Sequence, residues 1–153
     1  MISILPVPDI SAHIGFWLRM VSNHVSHAFA AKLADRGVTV AEWSLMRVLY
    51  GKEPTPPSRL ADEMGVTRGA ITRLADRLIA KSLITREASP DDGRAQTLAL
   101  TDRGIGLVPD LAMLADRNDT EFFACLARDE RQMLMHLLKA LAERGQMRAI
   151  PIE

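Results

Sequence analysis

The segment that decides the fold is Ser58–Ser82, "SRLADEMGVTRGAITRLADRLIAKS". Leu60, Ala61 and Met64 share one face of a short helix that Gly65 ends, since glycine accepts the left-handed backbone of a helix stop. Val66 and Thr67 then open a second helix. Thr67 has the side chain of an N-cap, and Val66 and Ile71 occupy the two positions of a hydrophobic staple. Ile71, Leu74, Ala75 and Leu78 form one apolar stripe, with Arg68, Thr72, Arg73 and Asp76 largely off it. Two short helices joined by a tight glycine turn make the helix-turn-helix pattern.

Upstream, Ile10–Gly37 reads as a long first helix starting near Ser11 and stopping at Gly37. Ile14, Trp17, Leu18, Val21, Val25, Phe29 and Leu33 recur there at helical spacing. "TVAEWSLMRVLYG" follows as a second helix, with Thr39 as N-cap and Glu42 at the capping-box distance. In the connector "KEPTPPS", Thr55 can cap the third helix, whose first turn tolerates Pro56 and Pro57. Downstream, "LITREA" and "AQTLALT" read as two strands around the loop "SPDDGR", with Leu98 and Leu100 on one face. Thr101 can cap a long helix bent at Pro109. A last helix carries Met133, Leu134, Leu137, Leu138 and Leu141, a stripe wide enough to need a partner.

At 153 residues the chain fits one domain able to bury a sizeable core. It is 48% hydrophobic but only 5% aromatic, and rich in Leu, Ala and Met, which favours helix. Lys and Arg balance Asp and Glu at 19 each, so bulk charge gives no reason to expect nucleic acid or membrane. The local distribution differs. From Thr67 to Ala88, Arg68, Arg73, Arg77, Lys81 and Arg86 face only Asp76 and Glu87, an excess of three positive charges. Cys125 is the only cysteine, which excludes an internal disulfide framework and suits a reducing cytoplasm. "MISILPVPDI" is apolar but short and broken by Pro6 and Pro8, unlike a signal peptide. No apolar run is long enough to span a bilayer. A soluble cytoplasmic protein is expected.

A helix-turn-helix followed directly by a two-stranded hairpin is the winged-helix arrangement. On "LADEMGVTRGAITRLADRLIAKSLITR" and "DDGRAQTLALTDRG", the chain resembles the MarR family of bacterial transcription regulators. The second stretch matches the family's wing signature, an Asp and an Arg two apart followed by a Leu-Thr pair and a Gly. The resemblance implies a mainly α fold, a winged helix-turn-helix with a three-helix core and a two-stranded hairpin wing. Residues 39–101 would form that lobe, and residues 9–37 and 102–147 the long dimerisation helices. It implies a homodimer on a palindromic operator in double-stranded DNA, acting as a repressor relieved by a small molecule.

In such a protein the N-terminal part of the second helix faces base edges. Arg68, Gly69, Ala70 and Thr72 are then the readers, and the N-cap Thr67 belongs to the same DNA-binding set. Arg68 suits a guanine, and Ala70 or the Thr72 methyl a thymine methyl. Arg73 and Arg77 suit phosphates, or structural pairs with Asp76 and the wing acids. Taken singly, Arg77 and Lys81 suit a solvated basic face better than base contact. Arg94, at the hairpin tip, would enter the narrow minor groove, with Asp92 bracing the wing and Gly93 allowing a tight turn. Arg86 matches a family arginine of structural role. Two residues depart from the family pattern. Ser82 stands where glycine is usual and should be strained if its φ is positive. Ala127 stands where a Ser or Thr usually caps the last helix.

In the resembled family, effectors bind between the dimer helices and the winged-helix lobe. Trp17, Met20, Val21, His24, Trp43 and Met46 are placed to line such a cleft, and would suit a small aromatic or phenolic compound. A dimer core that uses the two tryptophans for packing is the alternative, favoured for Trp43. His13, His24 and His27 lack supporting carboxylates or thiols at ligand spacing, so no metal or other cofactor is expected. Cys125, among Phe122, Phe123 and Leu126, reads as a buried packing thiol. Thiol-sensing members of the family carry their cysteine near the N-terminus, where this chain has none. No nucleophile motif, paired-carboxylate site or Gly-rich phosphate loop is present, so an enzyme is not expected. The competing functions are a winged-helix protein-interaction module without DNA binding, and a small-molecule-binding helical protein.

Overall fold

The computed structural model describes residues 2–89, 91 and 93–152. After a single 3-10 turn at Ile10–Ala12, the chain forms α1 (Ile14–Ala34), α2 (Val40–Leu49), α3 (Pro57–Met64) and α4 (Arg68–Ala80). Strands β1 (Ile84–Ala88) and β2 (Gln96–Leu100) follow, then α5 (Asp102–Phe123) and α6 (Arg128–Arg144). The strands pair antiparallel, from Ile84 opposite Leu100 to Ala88 opposite Gln96. The mainly α winged helix-turn-helix architecture is therefore present. No helix among the described residues is long and apolar enough to cross a membrane.

Local chemistry sets the boundaries. α1 begins at Ile14 rather than near Ser11, because the Asp9 carboxylate accepts the Ser11 N–H and holds a separate 3-10 turn. His13, in extended backbone, then breaks the path. Thr39 caps α2 as expected, its hydroxyl accepting the Glu42 N–H at 3.1 Å. Thr67 caps α4 through the Ala70 N–H at 3.1 Å, and Thr101 caps α5 through the Gly104 N–H at 3.1 Å. Thr55, by contrast, does not cap the third helix. A residue before proline is pushed towards extended backbone, and Thr55 instead exchanges two backbone hydrogen bonds with Leu98, at 2.9 and 2.8 Å. It thereby adds a one-residue third strand to the wing, and Pro56 takes the cap position with no side-chain bond. α5 runs through Pro109, whose ring denies the Ile105 carbonyl its helical donor.

Ala127 has no side chain with which to cap α6, and the missing half is supplied from the other direction. The Glu130 carboxylate accepts the Ala127 N–H at 2.8 Å. The opposite happens at α2, where Glu42 does not reach back to its cap. It turns inward, with its side chain only 2% exposed, and meets the Lys81 ammonium at 2.6 Å. Lys81 also donates to the Gly37 carbonyl at 2.8 Å. Half-exposed itself, Lys81 thus pins the end of α4 to the α1–α2 junction rather than standing unpaired on a basic face.

Helices α1, α3 and α4 end in the same motif, with a left-handed residue just past the helix and two returning hydrogen bonds. Gly37 and Gly65 take the position in α1 and α3, at φ 73° and 66°. At α4 the residue is Ser82, at φ 62°, with Ser82 N–H to the Ile79 carbonyl and Leu83 N–H to the Leu78 carbonyl, both at 2.9 Å. The serine is therefore in the strained conformation that its departure from glycine implies.

The core lies within the lobe. Leu45, Met46 and Leu49 of α2 meet Leu60 and Met64 of α3, and Ile71, Leu74 and Leu78 of α4 close the cluster with Ile84 and Leu98 of the wing. Leu33, Val108 and Leu111 extend it to α1 and α5. Beyond the lobe, Asn118 is buried between α1 and α5. It donates to the Val25 carbonyl at 3.1 Å and accepts from Lys32 at 3.0 Å. The outer parts of these helices bury little. Leu33 is the one fully buried residue recorded in α1, and α6 has none.

Two outcomes follow from these contacts. Ser82→Gly should raise unfolding free energy in urea by about 1 kcal/mol, because glycine relieves the left-handed strain. Lys81→Met should lower it by about 2–3 kcal/mol by stranding the Glu42 carboxylate, and adding Glu42→Leu should recover most of that loss.

Candidate nucleic-acid interface

The exposed surface of the lobe is built by α4 and the hairpin. Because Ile71, Leu74, Ala75 and Leu78 are turned into the core, α4 presents its opposite side outward. Thr67, Arg68, Gly69, Thr72, Arg73 and Arg77 are all exposed, and Ala70 is half-buried. The Thr67 hydroxyl is used by the cap. The Thr72 hydroxyl donates to the Arg68 carbonyl at 3.0 Å, so its proton is committed while its methyl group is not. Arg73 folds back over the first turn, its Nη1 lying 3.6 Å from where a Cβ on Gly69 would stand. Two guanidinium-bearing residues thus belong to one helix end, whose first amides and dipole already favour anions.

Asp76 does not pair with Arg73 or Arg77. It meets Arg86 of β1 at 2.8 Å, tying the outward side of α4 to the base of the wing. Both side chains are substantially solvated, so the bridge contributes only about 0.5 kcal/mol; it fixes orientation rather than stability.

The wing is anchored where α5 begins. The Thr101 N–H donates to the Leu83 carbonyl at 3.1 Å and its hydroxyl to the Ser82 carbonyl at 2.7 Å. A Cβ on Gly104 would collide with the Leu83 carbonyl oxygen, so only glycine lets α5 approach this closely. At the far end of the hairpin, the Ser89 N–H bonds to the Ala95 carbonyl at 2.8 Å and closes the loop. Arg94 is exposed on that loop. A Cβ on Gly93 would meet open space, so crowding does not require glycine there. Asp92 lies outside the described residues.

The six residues read as a possible effector cleft separate into two groups. Met46 is completely buried and belongs to the core, and Trp43 packs edge-on against Phe29 at 6.5 Å. Both serve the lobe interior, Met46 because α2 turns it towards α3 and α4. Trp17, Met20 and Val21 are exposed on α1, the Trp17 indole donating to the Ser11 carbonyl at 2.8 Å. His24 is exposed beside the Phe122 ring, at 5.5 Å. Cys125 is exposed rather than buried, because it falls in the turn between α5 and α6. No group of three metal-ligating side chains converges among the described residues.

Three contributors escaped the sequence reading. Thr55 joins the wing, Lys81 pins α4 to α2, and Ile150 and Ile152 pack back on the lobe. The last had a visible signal, since two isoleucines flank Pro151 beyond the end of the last helical stripe.

Comparison with known proteins agrees with this geometry. The family model described as MarR family matches residues 36–95, from just before α2 through the helix-turn-helix to the first strand and loop of the wing. A putative transcriptional regulatory protein for the hcr operon of Thauera aromatica is 31% identical over 134 residues, covering 87% of this chain and 81% of that protein. The crystal structure of a probable transcriptional regulator from Pseudomonas aeruginosa superposes with a TM-score of 0.76 at 27% identity, covering 87% of this chain and 99% of that one. A mutant of MarR from Escherichia coli, solved in complex with operator DNA, superposes at 0.74 with 26% identity, covering 84% and 92%. The chain belongs to the MarR family and is a DNA-binding transcription regulator with a winged helix-turn-helix.

Proposed function

We propose that the protein acts in the cytoplasm as a homodimeric repressor on a palindromic operator, and that an aromatic or phenolic effector releases it. The observation that carries the DNA-binding part is the solvent-facing cationic end of α4 together with an exposed arginine on the wing, in the fold of a relative solved on operator DNA. The N-terminal end of α4 lies in the major groove, with Arg68 towards a guanine edge and Ala70 and the Thr72 methyl towards thymine methyls. Arg73 and Arg77 neutralise phosphates. Thr67 and Gly69 keep the helix end narrow enough to approach the backbone, and its first amides add donors. Arg94 enters the minor groove, where narrow width concentrates negative potential.

Dimerisation is supported by what the single chain leaves in water. Ile14, Trp17 and Leu18 of α1, Met113 of α5, and Met133, Leu137 and Leu141 of α6 are all exposed by 50% or more of their surface. Most of these side chains are already half-covered, so completing the burial of each is worth about 1 kcal/mol; a second copy covering the same faces on both chains gains on the order of 10 kcal/mol, enough to offset the cost of association. The two copies of α4 would then stand about one DNA turn apart, roughly 34 Å. Trp17, Met20, Val21 and His24, on the same outward face of α1, are the residues that would meet an effector at the edge of the interface.

In solution the protein should sediment at twice 16.9 kDa. On an operator duplex selected from random sequence, Arg68→Ala should cost about 1–3 kcal/mol and relax preference at one base position. Arg94→Ala should weaken binding to all duplexes alike and lower the salt dependence by about one ion per subunit. Unchanged affinity in both variants across a salt titration would falsify this docking.

A further inference from the structure

The end of the chain does not trail away from α6. Gln146 takes a left-handed conformation at φ 53°, and the Met147 N–H returns to the Ala142 carbonyl at 2.9 Å. This is the same helix stop that ends α1, α3 and α4, and here it turns the chain towards the lobe. Ala149 then lies directly against Gly65, the turn glycine of the helix-turn-helix. A Cβ on Gly65 would stand 2.8 Å from the Ala149 Cα. The Ile150 N–H donates to the Met64 carbonyl at 2.9 Å. Of the last carbonyls of α3, those of Ala61 and Asp62 are taken by Val66 and Gly65, so the tail supplies a donor that α3 itself cannot. Ile150 and Ile152 are half-buried on the core, and Ile152 borders a shallow depression with Ala41, Ala70, Arg73, Leu74 and Arg77.

We propose that residues 148–152 form a strap that positions the helix-turn-helix for DNA, by fixing it to the far end of α6. The inference rests on the DNA-docking reading above. α6 is a rigid strut about 25 Å long that buries no residue in its own chain. One end is held by the turn from α5 and the other by the strap on Gly65 and α4. In a dimer joined through α1, α5 and α6, the strap transmits the position of the interface to the recognition helix, and so sets the separation of the two α4 ends. Ile152 bears on the flank of α4 that carries Arg73 and Arg77, which makes the strap a buttress for the phosphate-facing side. Its residues are positioning residues; none need touch DNA.

The test uses the full chain, a chain ending at Met147 (which keeps the α6 stop), and the double variant Ile150→Ala with Ile152→Ala. Each is titrated onto the selected operator and onto duplexes whose half-sites are one base pair closer or further apart. The full chain should prefer its own spacing by about tenfold, which corresponds to 1.4 kcal/mol. Both altered chains should bind the three duplexes within about threefold of one another, with dimer mass and salt dependence unchanged. A spacing preference that survives in both altered chains overturns the strap, even if melting temperature or overall affinity falls, because that is the signature of a stabilising contact alone. A salt dependence reduced by about one ion per subunit, reproduced by Arg148→Ala, overturns it in favour of a direct phosphate contact. A full chain that binds no duplex at all sinks the DNA docking itself, and the strap with it.

Discussion

Where α4 gives way to β1 and β2 to α5, four chain segments meet within a few ångströms, and the rest of the molecule is arranged around that junction. Ser82 holds a left-handed turn, Thr101 takes the carbonyls of both Ser82 and Leu83, and Gly104 leaves room for the Leu83 carbonyl. These short backbone contacts admit almost no adjustment, so the wing, the recognition helix and the long α5 are locked in one mutual orientation. An arginine on the wing can be useful only if its distance from the helix end is fixed. Here that distance is set by the backbone contacts of the junction, with the Thr101 hydroxyl on Ser82 and the Arg86–Asp76 pair holding the wing to α4.

Charge is deployed against the same frame. Of the five cations between Thr67 and Ala88, Lys81 and Arg86 are held by Glu42 and Asp76 and serve the architecture. Arg68, Arg73 and Arg77 stand exposed on α4. A molecule of zero net charge therefore places its positive excess on one side, with acids elsewhere restoring the balance. Such an arrangement limits indiscriminate attraction to polyanions while keeping a strong local field at the helix end.

Stability is unevenly distributed as well. The lobe contains nearly all the buried apolar side chains, whereas α6 and the outer part of α1 carry theirs in water. Within one chain these helices are held by sparse polar links, such as Asn118 with Val25 and Lys32, and by the tail on Gly65. Elements tied to the lobe by only a few contacts are well suited to shift as a body relative to it.

The sequence alone determined the elements whose signals are local. Thr39, Thr67 and Thr101 each place a capping oxygen three residues before the amide that needs it, and the α4 stripe repeats with helical period; neither depends on distant parts of the chain. The helix-turn-helix, the hairpin and the exposed arginines followed from those signals. Only the tertiary structure decided the partners of groups that choose between neighbours. Glu42 could have closed its capping box but found Lys81, 39 residues away, Thr55 left a helix cap for Leu98, and Asp76 took Arg86 over the arginines beside it. Met46 and Cys125 exchanged their expected burial for the same reason: periodicity says which residues share a face, but what covers that face depends on packing between segments far apart in the chain.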